Sequence, residues 1–250
     1  MPTSRNDPEP VFDVEHDEGD VSSRLVLGFS EFGLAGLTAV DYLVTHLDLE
    51  QTGRVLVEGL PAITPFADGV PRHHIRLFSR EDLDVTVLVG ELFVPARAAE
   101  PFSEAVLEWT EDAAVEEAVV LSGVPIAHGP EEHRAYYVST PDFRATGLAE
   151  TEITPMGGGF LDGINGALMG RGLDSDLRTC LLTTPVHAQT PDADAALRLL
   201  EAFLSVYDLD VDLGPMTEFA ARVAEHYEEL AARMQTAQEQ ERGPEDRMYM

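Results

Sequence analysis

Two glycine-rich stretches are where this chain could first hold a ligand. Gly28, Gly33 and Gly36 fall where an apolar run gives way to a helical pattern. Gly157, Gly158 and Gly159 lead into a second helical pattern that carries Gly163, Gly166 and Gly170. Backbone N–H groups left free at such a turn can cradle a phosphate or carboxylate. On that chemistry Gly28, Gly33, Gly157, Gly158 and Gly159 form a candidate anion loop. The first spacing is G-x4-G-x2-G, not the dinucleotide pattern G-x-G-x2-G, and a tight turn with close helix packing explains it without a ligand. In the second stretch, steps of four, three and four place Gly159, Gly163, Gly166 and Gly170 on one helical face, suited to close approach of a neighbouring backbone.

The other reactive side chains do not assemble in the sequence. His73 and His74 are adjacent and point to opposite faces of a strand, so they cannot chelate one ion together. His128 and His133 flank a Gly-Pro-Glu-Glu turn and read as surface residues. No serine stands in G-x-S-x-G. All 16 basic residues are arginine. A Walker-type phosphate loop, Schiff-base catalysis and pyridoxal attachment each require a lysine, and all three are excluded. Cys180 is the single cysteine and sits in the apolar run Thr179-Cys180-Leu181-Leu182, which rules out an intrachain disulfide and a cysteine-rich metal site. The residues therefore predict no catalytic group, no metal, no cofactor, and a protein that is not an enzyme.

The C-terminus carries a different kind of chemistry. Met248-Tyr249-Met250 closes the chain after a Gly243-Pro244 break. A mobile end of this kind can seat an aromatic anchor in a partner's pocket while its terminal carboxylate meets a cation there. Net charge is −30 over 250 residues. Self-repulsion on that scale opposes compaction in dilute buffer, whereas molar salt shortens the Debye length to about 3 Å and screens it. The composition is that of a halophile's cytoplasm. Nucleic acid is an unsuitable partner, because its phosphates need a basic patch. No apolar run reaches the roughly eighteen residues a membrane span requires. The acidic N-terminus is unlike a signal peptide, so no membrane association and a cytoplasmic location are expected.

These candidates must be positioned by an alternation of strand and helix patterns. Residues 1–22 are acidic and poor in aliphatics, which predicts a disordered leader. Residues 24–29 (RLVLGF) are a strand-type apolar run, followed by Leu34, Leu37, Val40, Val44 and Leu47 at helical spacing. Residues 54–60 and 83–89 are β-rich runs of the kind covered on both faces, and residues 74–79 are placed to pair with the second as a hairpin. Pro101 opens a helix with Phe102, Val106, Trp109 and Ala113 on one stripe. Strands follow at 118–122, 136–139 and 179–183, with the glycine-rich helix at 161–169 before the last of them. Thr190 caps a further helix with Pro191 at its first position and Leu197, Leu200, Leu204 and Tyr207 inward. A last helix, from Pro215 to about residue 240, has Phe219, Val223, Tyr227, Leu230 and Met234 as its apolar stripe. The pattern predicts a layered α/β domain over residues 23–214, with a mostly parallel sheet flanked by helices. A C-terminal helix at 215–242 and a flexible tail at 243–250 follow.

Several of these motifs form a series. Gly28-Phe29, Gly33 and Gly36 come first, then Glu108-Trp109 ahead of a strand ending at Gly123. Gly159, Gly163 and Gly166 follow, and Pro191-Asp192, Ala195-Ala196 and Leu199-Leu200 close it. In that order they resemble the proteasome assembly chaperone family of archaea and actinobacteria, over about residues 24–213. The resemblance implies an α/β fold related in shape to nucleoside phosphorylases, and assembly into homo-oligomers. It further implies that an archaeal member with a hydrophobic-Tyr-X ending, here Met248, Tyr249 and Met250, binds the α-ring of the proteasome core particle as an assembly chaperone or ATP-independent activator. The rival reading is a phosphorylase-like small-molecule enzyme or binding protein that uses the glycine loops as an anion cradle. A third is an oligomeric scaffold for another client.

Overall fold

The computed structural model describes residues 9–17, 21–187, 190–207 and 209–241. Its chain begins with strand β1 (Val11–His16), β2 (Arg24–Phe29), helix α1 (Ala35–His46) and β3 (Glu50–Glu58). A small hairpin of β4 (Phe66–Ala67) and β5 (Val70–Pro71) leads to β6 (Ile75–Ser79) and β7 (Thr86–Gly90). Then come α2 (Ala96–Asp112), β8 (Glu117–Val124), β9 (Tyr136–Ser139), α3 (Pro141–Thr146) and β10 (Thr154–Pro155). The chain continues with α4 (Gly163–Leu173), β11 (Arg178–Pro185), α5 (Ala193–Tyr207) and α6 (Gly214–Glu241).

All strands but the β4–β5 hairpin join one sheet, in the order β1-β3-β6-β7-β2-β8-β11-β9-β10. Its centre, β7-β2-β8-β11, is parallel throughout. These four strands are near-continuous apolar runs, because helices cover both faces and every side chain must avoid water. Beyond that centre, β6, β3 and β1 add antiparallel on one flank and β9 antiparallel on the other. Alternation along β2 sorts side chains between two cores. Val26 faces the layer of α1 and α5, while Leu25 and Leu27 face the layer of α2 and α4. On the second face the fully buried Phe102 meets Phe12 and Phe29 edge-on, with ring centroids 5.3 and 5.6 Å away.

One close approach fixes the seat of α1. A Cβ added at Gly28 would lie 2.4 Å from the carbonyl oxygen of Gly36, and one added at Gly36 would lie 1.9 Å from that of Leu121. Only glycine lets the first turn of α1 rest on the backbone of β2 and β8, so the packing role expected of Gly28 and Gly36 is what the fold uses.

Other expectations are corrected. Residues 11–16, assigned to a disordered leader, form β1 against β3. Phe12 is buried, while Asp13 and Glu15 face outward and Glu15 accepts a hydrogen bond from Arg54 Nε at 2.8 Å. Alternating acids on an edge strand have the composition of a solvated tail, and only the pairing tells them apart. β3 starts earlier than expected, at Glu50, and its burial is mixed, because it lies between two antiparallel strands near the sheet edge. α2 begins at Ala96 behind an extended Pro95, and Pro101 sits a turn inside it, forgoing one backbone hydrogen bond. α5 is capped by Asp192, whose Oδ1 accepts from the Ala195 N–H at 2.9 Å, and not by Thr190. The Gly159–Gly170 face is a packing seam only at Gly166, where an added Cβ would lie 2.6 Å from the Leu161 carbonyl oxygen: α4 starts only at Gly163, Gly159, Gly163 and Gly170 have no atom within 4 Å of an added Cβ, and a further tight contact falls to Gly172 against Thr179.

Candidate functional site

Among the described residues, helix α6 is held on the body by its first turns. Met216 and Ala220 are buried in the core that includes α5, and Val223 is half-buried. From Ala224 onward every described side chain is exposed. The apolar stripe read from the sequence is thus largely unpacked, with Phe219, Tyr227 and Leu230 exposed by 43%, 37% and 43%. Past Val223 the helix continues for about 27 Å at 1.5 Å per residue, ending at Glu241. Met248, Tyr249 and Met250 lie outside the described residues.

A second region is set by strand direction. β3, β7, β2, β8 and β11 run the same way, so their C-terminal ends share one edge, the usual ligand-binding side of an open α/β sheet. β2 is followed by α1 on one face and β7 by α2 on the other, so the connections part between β2 and β7, and a polar cluster stands next to that point at the ends of β2 and β8. There Ser122 Oγ donates to Glu31 Oε2 at 2.7 Å, and Asn165 Nδ2 donates to the same oxygen at 2.9 Å. Gly33 and Leu34 take left-handed backbone, with φ of 66° and 51°, and turn the chain from Glu31 into α1. Beside Gly33, then, the chain supplies its own carboxylate, which opposes the arrival of another anion. Exposed apolar side chains punctuate the same edge: Phe32 after β2, Ile63 and Phe66 after β3, Phe93 after β7, Ile126 after β8 and Phe160 ahead of α4.

The glycines of the candidate anion loop do not come to one point. Gly28 is buried within β2, Gly33 is buried in the turn after β2, and Gly157, Gly158 and Gly159 are exposed on the loop before α4 with nothing within 4 Å of an added Cβ.

Histidines that the sequence leaves apart are brought together. The pairing Val124↔Pro185 sets the loops after β8 and β11 side by side, and Tyr136↔Thr183 brings the lead-in to β9 to the same place. His128 stands 4.9 Å from His133 and 5.3 Å from His187 by ring centroid, and His133 stands 6.2 Å from His187. His133 is exposed and His128 half-buried at the surface, but the expectation that the histidines do not assemble is corrected. No spacing rule finds this cluster, because it depends on which strands are neighbours.

Asp192 anchors one side of the cluster. Its Oδ2 accepts from His187 Nδ1 at 2.9 Å and from the His187 backbone N–H at 3.1 Å. Burial pushes the Asp192 carboxyl up, but the backbone N–H groups of His187 and Ala195, the His187 ring and the charge of Arg198 outweigh it and hold the group below the usual carboxylate range. Burial, followed by Arg198 and the two neighbouring rings, depresses the His133 imidazole. His133, His187, Asp192 and Arg198 line a pocket of about 470 Å³ whose far wall is Ala220, Val223 and Tyr227 of α6.

Sheet and flanking helices define a layered α/β domain with a mostly parallel sheet. The chain belongs to the PAC2 family, whose model matches residues 25–231. No curated protein matches it by sequence. Among solved structures it is similar to PbaA of Pyrococcus furiosus, described as an archaeal homolog of proteasome-assembly chaperone. That match has a TM-score of 0.79 and 18% identity over 95% of this chain and 100% of the other. PbaB of the same organism, described as an archaeal proteasome activator, matches with a TM-score of 0.74 and 18% identity over 89% and 99%. A PAC2 family protein from Streptomyces avermitilis matches with a TM-score of 0.64 and 20% identity over 83% and 95%. At these identities the likeness is one of fold.

Proposed function

We propose that this protein binds the proteasome core particle, as an assembly chaperone or ATP-independent activator, by delivering Met248, Tyr249 and Met250 to pockets of the α-ring. The observation that carries the reading is the course of α6: packed on the body through Met216, Ala220 and Val223, then exposed over its remaining described side chains. A helix so rooted reaches past the body that seats it, which is the course a tail-delivering mechanism needs. Tyr249 is the anchor in this scheme, Met248 packs beside it, and the carboxylate of Met250 meets a cation of the partner. Homo-oligomers would present several such ends, and after the first has bound the rest act at raised effective concentration. Exposed apolar loops along the carboxyl edge favour protein partners, including further copies of the chain. The fold shared with PbaA and PbaB supports the same role. The setting is the salty cytoplasm of an archaeon, where screening lets two acidic surfaces meet, and no covalent step is involved.

The test is retention of the core particle in molar NaCl by the full chain and by a chain lacking residues 248–250. The full chain retains the particle and the shortened one does not. Equal retention by both would remove the tail from the mechanism, and no retention by either would remove the proteasome.

A further inference from the structure

We propose that His128, His133 and His187 form a binding site for one divalent transition-metal ion of the zinc class, at the carboxyl edge where β8 and β11 end. Placement comes first. Three imidazoles from three separate segments, the loop after β8, the lead-in to β9 and the loop after β11, converge on one spot because the strands carrying them are neighbours. All three rings also line a single open groove with Pro125 and Ile126.

Geometry follows. An imidazole bound to zinc through one nitrogen at 2.0–2.1 Å has its ring centre ~3.2 Å from the ion, so three such rings at tetrahedral angles stand about 5 Å apart. The centroid separations of 4.9, 5.3 and 6.2 Å sit around that spacing. No three metal-type donors among the described residues already stand in holding geometry. Ring rotation must complete the site, and it falls to the exposed His133, because His128 and His187 are held at Nδ1.

The hydrogen bonds behind the rings are of the type that orients metal ligands. His128 Nδ1 lies 2.7 Å from the carbonyl oxygen of Ile126, and His187 Nδ1 lies 2.9 Å from Asp192 Oδ2. Both acceptors are pure acceptors, so in each ring Nδ1 carries the proton and Nε2 keeps its lone pair for an ion. Asp192 is itself fixed by the N–H groups of His187 and Ala195. Arg198 contributes an unfavourable positive charge nearby, but its guanidinium is turned to Thr184 Oγ1 and the carbonyl of Pro185, and Asp192 and Asp194 oppose its field. An all-nitrogen set of this kind suits zinc, nickel, copper or cobalt over magnesium or calcium, which take oxygen ligands. Three protein ligands leave a fourth position open.

The experiment uses the untagged full chain, stripped with EDTA and returned to molar NaCl. Cobalt(II) is titrated as a spectroscopic probe, and zinc(II) is then used to displace it. We expect the intense visible bands of four-coordinate cobalt, saturating at one ion per chain and lost on adding zinc. His128→Ala, His133→Ala and His187→Ala should each abolish the bands. Asp192→Asn, which keeps an oxygen for the α5 cap but removes the carboxylate behind His187, should weaken binding about 10–100-fold. His73→Ala should leave the titration unchanged, and circular dichroism confirms that each variant is folded. Absence of tetrahedral bands, or binding that persists when all three histidines are alanine, would overturn the site and assign any residual cobalt to the acidic surface.

Discussion

Replacing Gly36 by alanine tests whether α1 is seated directly on the backbone of β8. The added Cβ would lie 1.9 Å from the Leu121 carbonyl oxygen and 2.8 Å from its carbon, where real Cβ contacts essentially never fall below 3.0 Å. The helix must therefore withdraw by about 1 Å, and a gap of that size forfeits a quarter to a half of the attraction at each contact it opens. Ala35, Ala39, Val40 and Leu43, all buried under α1, lose contact together. Overpacking of this kind costs about 1–3 kcal/mol, with values at the upper end where backbone is the obstacle. Up to about 1 kcal/mol is returned by the better helix propensity of alanine, less in a first turn. The expected net loss is about 2 kcal/mol, a fall of roughly 4–8 °C in Tm for a chain of this size. Gly170→Ala is the paired control: the same atoms are added inside α4 with nothing within 4 Å, so stability should rise by about 0.5–1 kcal/mol. Urea unfolding at fixed molar NaCl measures both, since an uncharged denaturant leaves the screening constant. If Gly36→Ala matches the wild type, or if the two variants shift in the same direction, the seat of α1 is not what the contact distances describe.

Asp192→Ala should lower stability by about 1–2 kcal/mol at neutral pH, through loss of the α5 cap and of the acceptor for His187. Because the folded Asp192 titrates below the ordinary carboxylate value, its contribution is complete above pH 4 or so and disappears as pH falls through the depressed value. Urea curves for the two proteins in EDTA should therefore converge in acid; a gap that stays constant down to the acid limit would mean the carboxylate's charge is not what the site uses. Cys180 has no exposed surface, and burial, with Glu117 nearby, pushes its thiol far up. An aromatic disulfide reagent at pH 8 should label it only as fast as the chain unfolds and completely in urea, and rapid labelling of the folded protein would contradict the closed core around β11.

The parts of the fold legible in the sequence are those whose signal is local. Residues 24–29 and 136–139 are strands with the bounds their apolar runs suggest, and α6 begins one residue from the expected Pro215. Gly28 and Gly36 were readable as packing residues because their spacing puts them on a strand and on the first turn of the following helix. The misreadings share a cause. β1 carries its acids on an exposed edge, so composition pointed to a tail while pairing with β3 made a strand. Pro101 reads as a helix start because proline is common there, yet the helix tolerates it one turn later, after Pro95 has set the true boundary. In each case a tertiary neighbour, absent from any sequence window, decided the outcome.

The same distinction separates the two candidate sites. The tail is visible in the sequence because a terminal Met-Tyr-Met needs no folding to exist; what folding adds is α6, which is rooted by a few residues and exposed beyond them. The histidine cluster has no local signature at all. His128 and His187 are separated by strands β9, β10 and β11 and helices α3 and α4, and they meet only because β11 lies beside β8 in register. Their two functions would also be physically adjacent, since the pocket lined by His133, His187 and Asp192 is closed by the rooted turns of α6. An ion that fixed the rings would stiffen one wall of the pocket on which α6 is seated. The direction α6 takes would then depend on the histidine site.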